Sequence, residues 1–474
     1  MTSFNHFIDG NWHASSKTRA NHNPSQPDEI IGEYAEASVD DVNAAVAAAR
    51  QAAKMWSRST PQQRFDVLDF IGSEILARKQ ELGTLLAREE GKVLPEAIGE
   101  VTRAGFIFKY FAGEALRMAG QALASVRPNM EVLTSREALG VVGLITPWNF
   151  PIAIPAWKAA PALACGNAVV LKPSELTPAC AWALAEIISR SGLPKGAFNL
   201  VMGDGLAGKT LVEHPEVDGI SFTGSVQTGK IIAQHCALNL KKYQLEMGGK
   251  NPLVILDDAD LNVAVECAVN GAFYSTGQRC TASSRTIVTE GIYEAFSKAM
   301  IERARSLKVG AAIDPSTQIG PVVDQRQLDK NLSYVEIGSE EGGKLLVGGQ
   351  RLDGAGYFFS PAIIENHNPQ ARLNQEEVFG PVSTLIKVKD FEEAIAVANA
   401  TPYGLSGGIC TTSLKYATQF RREMQAGMVM VNAPTAGVDY HVPFGGSKAS
   451  SFGPREQGSM AVEFYTKVKT HYLA

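Results

Sequence analysis

No run of 18 or more apolar residues occurs in this 474-residue chain, so nothing in it reads as a membrane-spanning helix. The nearest stretch, 138–155, is interrupted by Gly140, Gly143, Pro147, Asn149 and Pro151. Cysteine is scarce: six residues, scattered, with no C-x-x-C pair and no His/Cys cluster at zinc spacing. That excludes a disulfide framework, gives no metal site, and makes a reducing cytoplasm the simplest compartment. Charge of either sign is not in excess. A net charge of −5 gives no reason to expect nucleic acid or an anionic membrane as partner. The opening residues Met1 to His6 lack a basic region followed by an apolar run, so they do not read as a signal peptide. What is present is 45% hydrophobic residues over a length that suits two or three domains with large cores.

The first 35 residues read as short strands and turns, with Asp9-Gly10 a tight turn between apolar neighbours. Helices follow. Asp40 or Asp41 caps one whose face is Val42, Val46, Ala49, Ala53 and Trp56. Thr60-Pro61 starts the next, with Phe65, Leu68, Ile71, Ile75 and Leu76 as its stripe. Gly91 ends a third, and 95–118 is helical again. From about 139 the pattern becomes strand, loop, helix, repeated. Strands fall at 139–145, 168–171, 198–202, 219–222, 243–246 and 253–256, and helices at 178–189, before 213 and before 235. This alternation predicts a parallel sheet covered by helices on both faces. A second α/β series spans about 260–432, its first helix running from Leu261 to Tyr274. Gly120 to Thr134 and Val462 to Tyr472 fit neither core; they predict an arm that pairs with another subunit, or else a surface hairpin.

Chemistry concentrates in a few runs. Cys280 sits in Ser275-Thr276-Gly277-Gln278-Arg279-Cys280-Thr281, a small, polar, Gly-containing flank open to a substrate. Cys165, Cys180, Cys236, Cys267 and Cys410 lie in apolar or helical stretches and read as buried hydrophobes. Thiolate is the strong nucleophile among ordinary side chains. Glu246, at a strand end before Gly248-Gly249, is a candidate base; an apolar surrounding would raise its pKa toward neutrality. Asn149, in Thr146-Pro147-Trp148-Asn149-Phe150-Pro151, offers an amide to a developing oxyanion, with the Cys280 N–H as second donor. Losing one such donor costs about 100–1000-fold in rate. Phe222-Thr223-Gly224-Ser225-Val226-Gln227-Thr228-Gly229 lies between a strand and a helix, where a phosphate can sit on helix N-terminal amides. It is G-S-x-x-x-G rather than G-x-G-x-x-G, and alone it does not exceed an ordinary strand–helix turn. Lys172-Pro173-Ser174-Glu175 follows another strand, where Lys172 and Glu175 can hydrogen-bond a ribose.

Together these runs, with Glu376-Glu377-Val378-Phe379-Gly380-Pro381 and Pro443-Phe444-Gly445-Gly446, strongly resemble the NAD(P)-dependent aldehyde dehydrogenase superfamily over essentially the whole chain. The resemblance implies Cys280 as nucleophile, Glu246 as general base, Asn149 in the oxyanion hole and Lys158 in the catalytic set. It implies a cofactor site of Ile145, Thr146, Pro147, Trp148, Lys172, Ser174, Glu175, Phe222, Thr223, Gly224, Ser225, Thr228, Gly229, Met247 and Gly248, with Glu377 and Phe379 at the nicotinamide half. The fold it implies is α/β: a Rossmann-type cofactor domain (1–119 and 139–248), an α/β catalytic domain (249–445), and a small β oligomerisation arm and tail (120–138 and 446–474) of a homodimer or homotetramer.

Within that superfamily, the runs Gly271 to Arg285, Ala436-Gly437-Val438 and Pro454 to Gly458 look like the 2,5-dioxopentanoate (α-ketoglutaric semialdehyde) dehydrogenases. Succinate-semialdehyde dehydrogenases are less similar. They carry carboxylate-binding arginines where this chain has Trp157 and Tyr274, and a buried carboxylate needs a paired cation. The expected substrate pocket is Phe150, Trp157, Phe273, Arg279, Thr281, Thr435, Val438 and Phe444. Arg279 either steers an acidic substrate, lowers the Cys280 pKa, or points away into structure. The expected cofactor is NAD, because Glu175 would repel a 2′-phosphate; NADP is the alternative, since Lys172 and Ser174 soften that repulsion. Two rival readings stand beside oxidation to a free acid. One passes the thioester to coenzyme A or phosphate; the other is a non-catalytic protein on the same fold.

Overall fold

The structure, a computed structural model, describes residues 3–474. Its first sheet has eight strands in the order Ser451–Phe452, Lys242–Glu246, Gly219–Thr223, Val141–Ile145, Ala168–Lys172, Phe198–Leu200, His6–Ile8 and Asn11–His13. The middle five are mutually parallel; the flanking short strands are antiparallel. Sequence order reverses at Val141–Ile145, whose neighbours on the two sides are the second and the fourth of the parallel series. Such a switch point opens a crevice at the strands' carboxyl ends. Side chains alternate across the sheet: Val142, Leu144, Val169 and Leu171 pack into one core, Val141, Val170 and Ile220 into the other. Both faces are thus buried, as near-continuous apolar strands demand.

The second sheet has seven strands, Lys344–Val347, Ala362–Glu365, Val382–Val388, Ser283–Thr289, Asn251–Ile255, Ser406–Cys410 and Met428–Val431 in that order, parallel except for the first pair. The parallel strands Lys242–Glu246 and Asn251–Ile255 belong to different sheets, and only four residues link them. A third sheet joins Ala122–Ala124, Glu131–Ala138 and Thr466–Leu473, all antiparallel. Its long pairing, from Thr466 opposite Ala138 to Leu473 opposite Glu131, brings together the two segments that fit neither α/β series.

Most elements follow the sequence pattern, and the departures have local causes. Asp9 and Gly10, both at positive φ, turn the hairpin in which Ile8 faces Asn11. The first long helix, Val39–Trp56, is capped by Ser38 rather than by Asp40 or Asp41. Ser38 accepts from the Asp41 N–H while Asp41 accepts from Ser38, a reciprocal capping box. Pro61–Ala77 starts at Thr60 and Lys79–Glu90 stops at Gly91, as expected. The strand foreseen over 139–145 begins at Val141, because Gly140 turns at φ +132° and the Asp218 carboxylate caps the Val141 N–H at 2.7 Å. In the tail, Val462–Tyr465 forms a helical turn before the strand begins. No described helix is long and apolar enough to cross a membrane.

Candidate active site

At the carboxyl ends of the first sheet lies a cleft of about 510 Å³. Ile145, Thr146, Pro147 and Trp148 line it from the end of one strand, Lys172, Ser174 and Glu175 from the next. Phe222, Thr223, Gly224, Ser225 and Thr228 line it from the turn into the helix Val226–Leu238. Ser225 caps that helix, accepting from the Thr228 N–H at 3.2 Å. The hydroxyls of Thr146 and Thr223 are buried here without a partner. Lys172 Nζ stands 3.4 Å from Glu175. The cleft narrows through Pro147, Trp148, Thr223, Gly224 and Ser225 into a second cavity of about 210 Å³, which also holds Asn149, Glu246, Met247, Gly248, Cys280, Glu377 and Phe379. On the far side of Cys280 opens a third cavity, of about 400 Å³, with Phe150, Trp157, Arg279, Thr281, Val438 and Phe444 in its wall. Cys280, Trp157 and Phe444 belong to both.

The loop that presents Cys280 is strained. Ser275, Thr276 and Gly277 follow one another at φ +51°, +55° and +65°. A β-branched threonine in that region is an outlier held only by its surroundings. The Glu96 carboxylate accepts the Ser275 N–H at 3.1 Å, Thr276 donates to the Gly320 carbonyl at 3.1 Å, and Gln278 accepts from the Val323 N–H at 3.0 Å. At Gly277 a Cβ would meet the Gly380 carbonyl oxygen at 2.3 Å, so only glycine fits. Beyond the thiol, the Asn251 amide donates to the carbonyls of Cys280 (2.8 Å) and Ala282 (2.9 Å). Asn149 is fixed from both ends: its amide donates to the Gln278 carbonyl at 2.9 Å and its own carbonyl accepts from Lys92 Nζ at 2.7 Å. Glu377 accepts from the Gly249 N–H at 2.8 Å; a Cβ on Gly248 would come within 2.3 Å of its Oε2.

The chain matches the sequence profile of the Aldehyde dehydrogenase family over residues 12–471. It belongs to that family. It is 43% identical to an α-ketoglutaric semialdehyde dehydrogenase of Bacillus subtilis, covering 98% of this chain and 97% of the relative. With a 2,5-dioxopentanoate dehydrogenase of Saccharolobus solfataricus the identity is 41%, over 95% of each chain. Among solved structures, a betaine aldehyde dehydrogenase of Staphylococcus aureus in complex with NAD+ superposes with a TM-score of 0.96 at 37% identity, covering 99% of this chain and 94% of that one.

In this aldehyde dehydrogenase the surroundings of Cys280 and Glu246 both favour the protonated form. Burial pushes the Cys280 thiol up to about 12, and the carboxylates of Glu377 and Glu246 add to the rise. The backbone N–H groups of Cys280 and Thr281 face the sulfur and oppose it. Burial raises Glu246 well above the ordinary carboxylate range, and the negative charge of Glu456 raises it further; the Ser451 hydroxyl, donating at 2.5 Å, works the other way. Arg279, the residue before the thiol in sequence, has its guanidinium engaged elsewhere. Its charge is taken by Glu96 at 2.8 Å, although its side chain still borders the 400 Å³ cavity.

Four residues expected in the site of this dehydrogenase line none of the three cavities. Phe273 is fully buried in the core of the second sheet, packed with Leu253, Val269 and Phe296; Asn270, one turn earlier, faces the cavity instead. Thr435 is also fully buried, its hydroxyl spent on the Thr281 carbonyl at 2.7 Å and on Ser283 at 2.6 Å. Gly229 lies behind the cleft, where a Cβ would meet Met247 Sδ at 2.4 Å. Lys158 borders none of the three cavities. It is wholly buried, ion-paired to Glu456 and hydrogen-bonded to Ser221 at 2.8 Å, and it acts on Glu246 only by charge.

Sequence reasoning also missed residues. Lys92, Glu96, Glu100, Arg103 and Asn270 line the 400 Å³ cavity. Glu96, Glu100 and Arg103 fall at i, i+4 and i+7 of the helix Leu94–Arg117, one face of it. A charged stripe on an otherwise apolar helix was the available signal. Ser451 and Asn251 carried none, because their importance lies in contacts 205 and 29 residues away.

Proposed function

We propose that the protein oxidises 2,5-dioxopentanoate to 2-oxoglutarate with NAD as hydride acceptor, through a covalent intermediate on Cys280. The observation that carries this reading is the position of Cys280 in the wall between the cavity continuous with the cleft and the cavity beyond it. The cleft suits a dinucleotide: it has the volume of a ligand site, a capped helix N-terminus for phosphate, and two unpartnered hydroxyls. Ile145, Thr146, Lys172, Ser174, Glu175 and Ser225 would hold its adenosine and phosphates, and Glu377 and Phe379 its nicotinamide end. Bound there, the cofactor supplies an acceptor for one hydride.

The chain's residues do the rest. Cys280 passes its proton to solvent and its sulfur adds to the aldehyde carbon, giving a thiohemiacetal. The oxyanion that develops meets the Asn149 amide and the Cys280 N–H. As the oxyanion collapses, hydride leaves and a thioester remains on Cys280. Glu246 takes a proton from water, hydroxide adds to the thioester, and the carboxylate departs as the thiol is restored. Aldehyde, water and oxidised dinucleotide become carboxylate, reduced dinucleotide and two protons. The base Glu246 favours water over coenzyme A as the final acceptor.

Support for the substrate comes from the relatives at 41–43% identity named for this semialdehyde. Support for NAD comes from Glu175, whose carboxylate borders the cleft and would repel a 2′-phosphate, while Lys172 is engaged with it at 3.4 Å. An absorbance assay of reduced cofactor across 2,5-dioxopentanoate, succinate semialdehyde and uncharged aldehydes, each with NAD and with NADP, tests the proposal. The highest kcat/KM is expected for 2,5-dioxopentanoate with NAD. A preference for uncharged aldehydes, or release of acyl-CoA when coenzyme A is supplied, would overturn it.

The same reading gives residues 1–119 and 139–248 to cofactor binding, 249–445 to catalysis, and 120–138 with 446–474 to an arm joining subunits. The arm sheet has exposed outer strands, Ala122–Ala124 and most of Thr466–Leu473, which supports pairing with a second copy. Sedimentation of the full chain is expected at twice or four times 50.8 kDa. A monomer at micromolar concentration would count against the arm's assignment.

A further inference from the structure

A substrate carrying a carboxylate must find a cation in the buried cavity it enters. Three cations border the 400 Å³ cavity: Lys92, Arg103 and Arg279. Two are already committed. Lys92 is paired to Glu100 at 2.6 Å and donates to the Asn149 carbonyl, which fixes the oxyanion loop. Arg279 is paired to Glu96 at 2.8 Å, which fixes the Cys280 loop. Arg103 forms no ion pair with any described carboxylate; its single hydrogen bond goes to Gln457 Oε1 at 2.9 Å. Its Nε is buried without an acceptor. So are the indole N–H of Trp157, whose ring lies 5.6 Å from the Arg103 guanidinium carbon, and the amide nitrogen of Gln457. Two neighbouring side chains of the cavity wall, Arg103 and Trp157, thus each keep a buried N–H without an acceptor, which buried polar groups avoid unless a ligand completes them. The acids nearest Arg103 do not fill the role. Glu100 spends its oxygens on Lys92 and on the N–H groups of Ile152 and Ala153, and Asp439 is exposed. Three cations against Glu96 and Glu100 leave the cavity wall one positive charge in excess, and it resides on Arg103.

The geometry points to Arg103, helped by the Trp157 indole N–H, as the receptor for the carboxylate end of the substrate while Cys280 takes the aldehyde end. This inference rests on the proposed function and deepens it. It explains how a chain with Trp157 and Tyr274 in place of two carboxylate-binding arginines can still accept an oxo acid: the cation is supplied from the helix Leu94–Arg117.

The test compares Arg103→Met and Arg103→Lys with the wild type on 2,5-dioxopentanoate and on pentanal, an uncharged aldehyde of the same chain length. For Arg103→Met the ratio of the two kcat/KM values is expected to fall about 100-fold, mainly through KM, because a site built for a charged group loses it. Arg103→Lys keeps the charge and is expected to retain an intermediate ratio. Competitive inhibition by 2-oxoglutarate should weaken in parallel. Pentanal turnover reports that each variant is folded. A ratio that stays within threefold of the wild type in Arg103→Met, or equal losses on both substrates in both variants, overturns the assignment of Arg103 while leaving the semialdehyde reading intact. A wild type that prefers pentanal overturns both.

Discussion

Cys280→Ser is expected to lower kcat for aldehyde oxidation by at least about 10⁴-fold, the scale on which a covalent nucleophile is lost. The reason lies in the site. Even the thiol is held up to about 12 by burial and by the charges of Glu377 and Glu246. A hydroxyl is far less acidic still, and the cations Lys158 and Lys92, locked in buried ion pairs, are not free to stabilise an alkoxide. The substitution removes no packing, so the melting temperature should shift by no more than a few degrees. Alkylation gives an independent reading. Cys280 is partly exposed, whereas the other five cysteines are buried, so inactivation by iodoacetamide should track the modification of one thiol. Retention of more than a tenth of wild-type turnover in Cys280→Ser, measured as reduced cofactor formed, would refute the covalent route.

Glu246→Gln is the second large effect, and it should separate the two halves of the reaction. Hydride departure needs Cys280 and the oxyanion donors; thioester hydrolysis needs the base. The variant should release up to one equivalent of reduced cofactor per Cys280 in a rapid phase, then turn over about 10²–10⁴-fold more slowly than the wild type. Rapid-mixing absorbance reads the burst, and mass spectrometry of the quenched enzyme reads the acyl adduct on Cys280. A variant with neither burst nor slowed steady state would place the base elsewhere. The wild-type pH profile follows from the same group. Burial raises the Glu246 carboxyl above its usual 4.5, so the basic form, and with it hydrolysis, is lost as pH falls through a value above the carboxylate range. Stability has the opposite sign. Above 4.5 the unfolded chain gives up this proton while the folded one keeps it, so folding pays a cost that grows as pH rises. Glutamine removes that cost, and the variant should gain on the wild type in thermal stability between pH 5 and neutrality.

The parts of the site that could be read in advance share a local grammar. The cofactor turns follow apolar strands and precede helices with proline, glycine or a capping serine, and the strand–helix rhythm itself places them at one edge of a sheet. Sixteen of the seventeen residues expected at the cofactor face the cleft or the cavity next to it, and the exception, Gly229, differs by a single position on a helix. The substrate side was read less well. On the helix Leu261–Phe273 the pattern of small and apolar residues does not distinguish which face meets the core, so the sequence points to Phe273 where Asn270 stands. Thr435 looked available because its hydroxyl partners, Thr281 and Ser283, lie more than 150 residues earlier.

From the sequence alone came the class of fold, the family, and the candidates for nucleophile, base and oxyanion amide, because each rests on residues close together in the chain and on chemistry that few side chains can perform. Only the tertiary structure decided which charges are spent and which are free. Lys92, Arg103 and Arg279 are alike as letters; pairing with Glu100 and Glu96 across a folded cavity makes two of them structural and leaves the third open to a ligand. Electrostatic commitment depends on distances of a few ångströms between groups remote in sequence, and it forms only when the chain has packed.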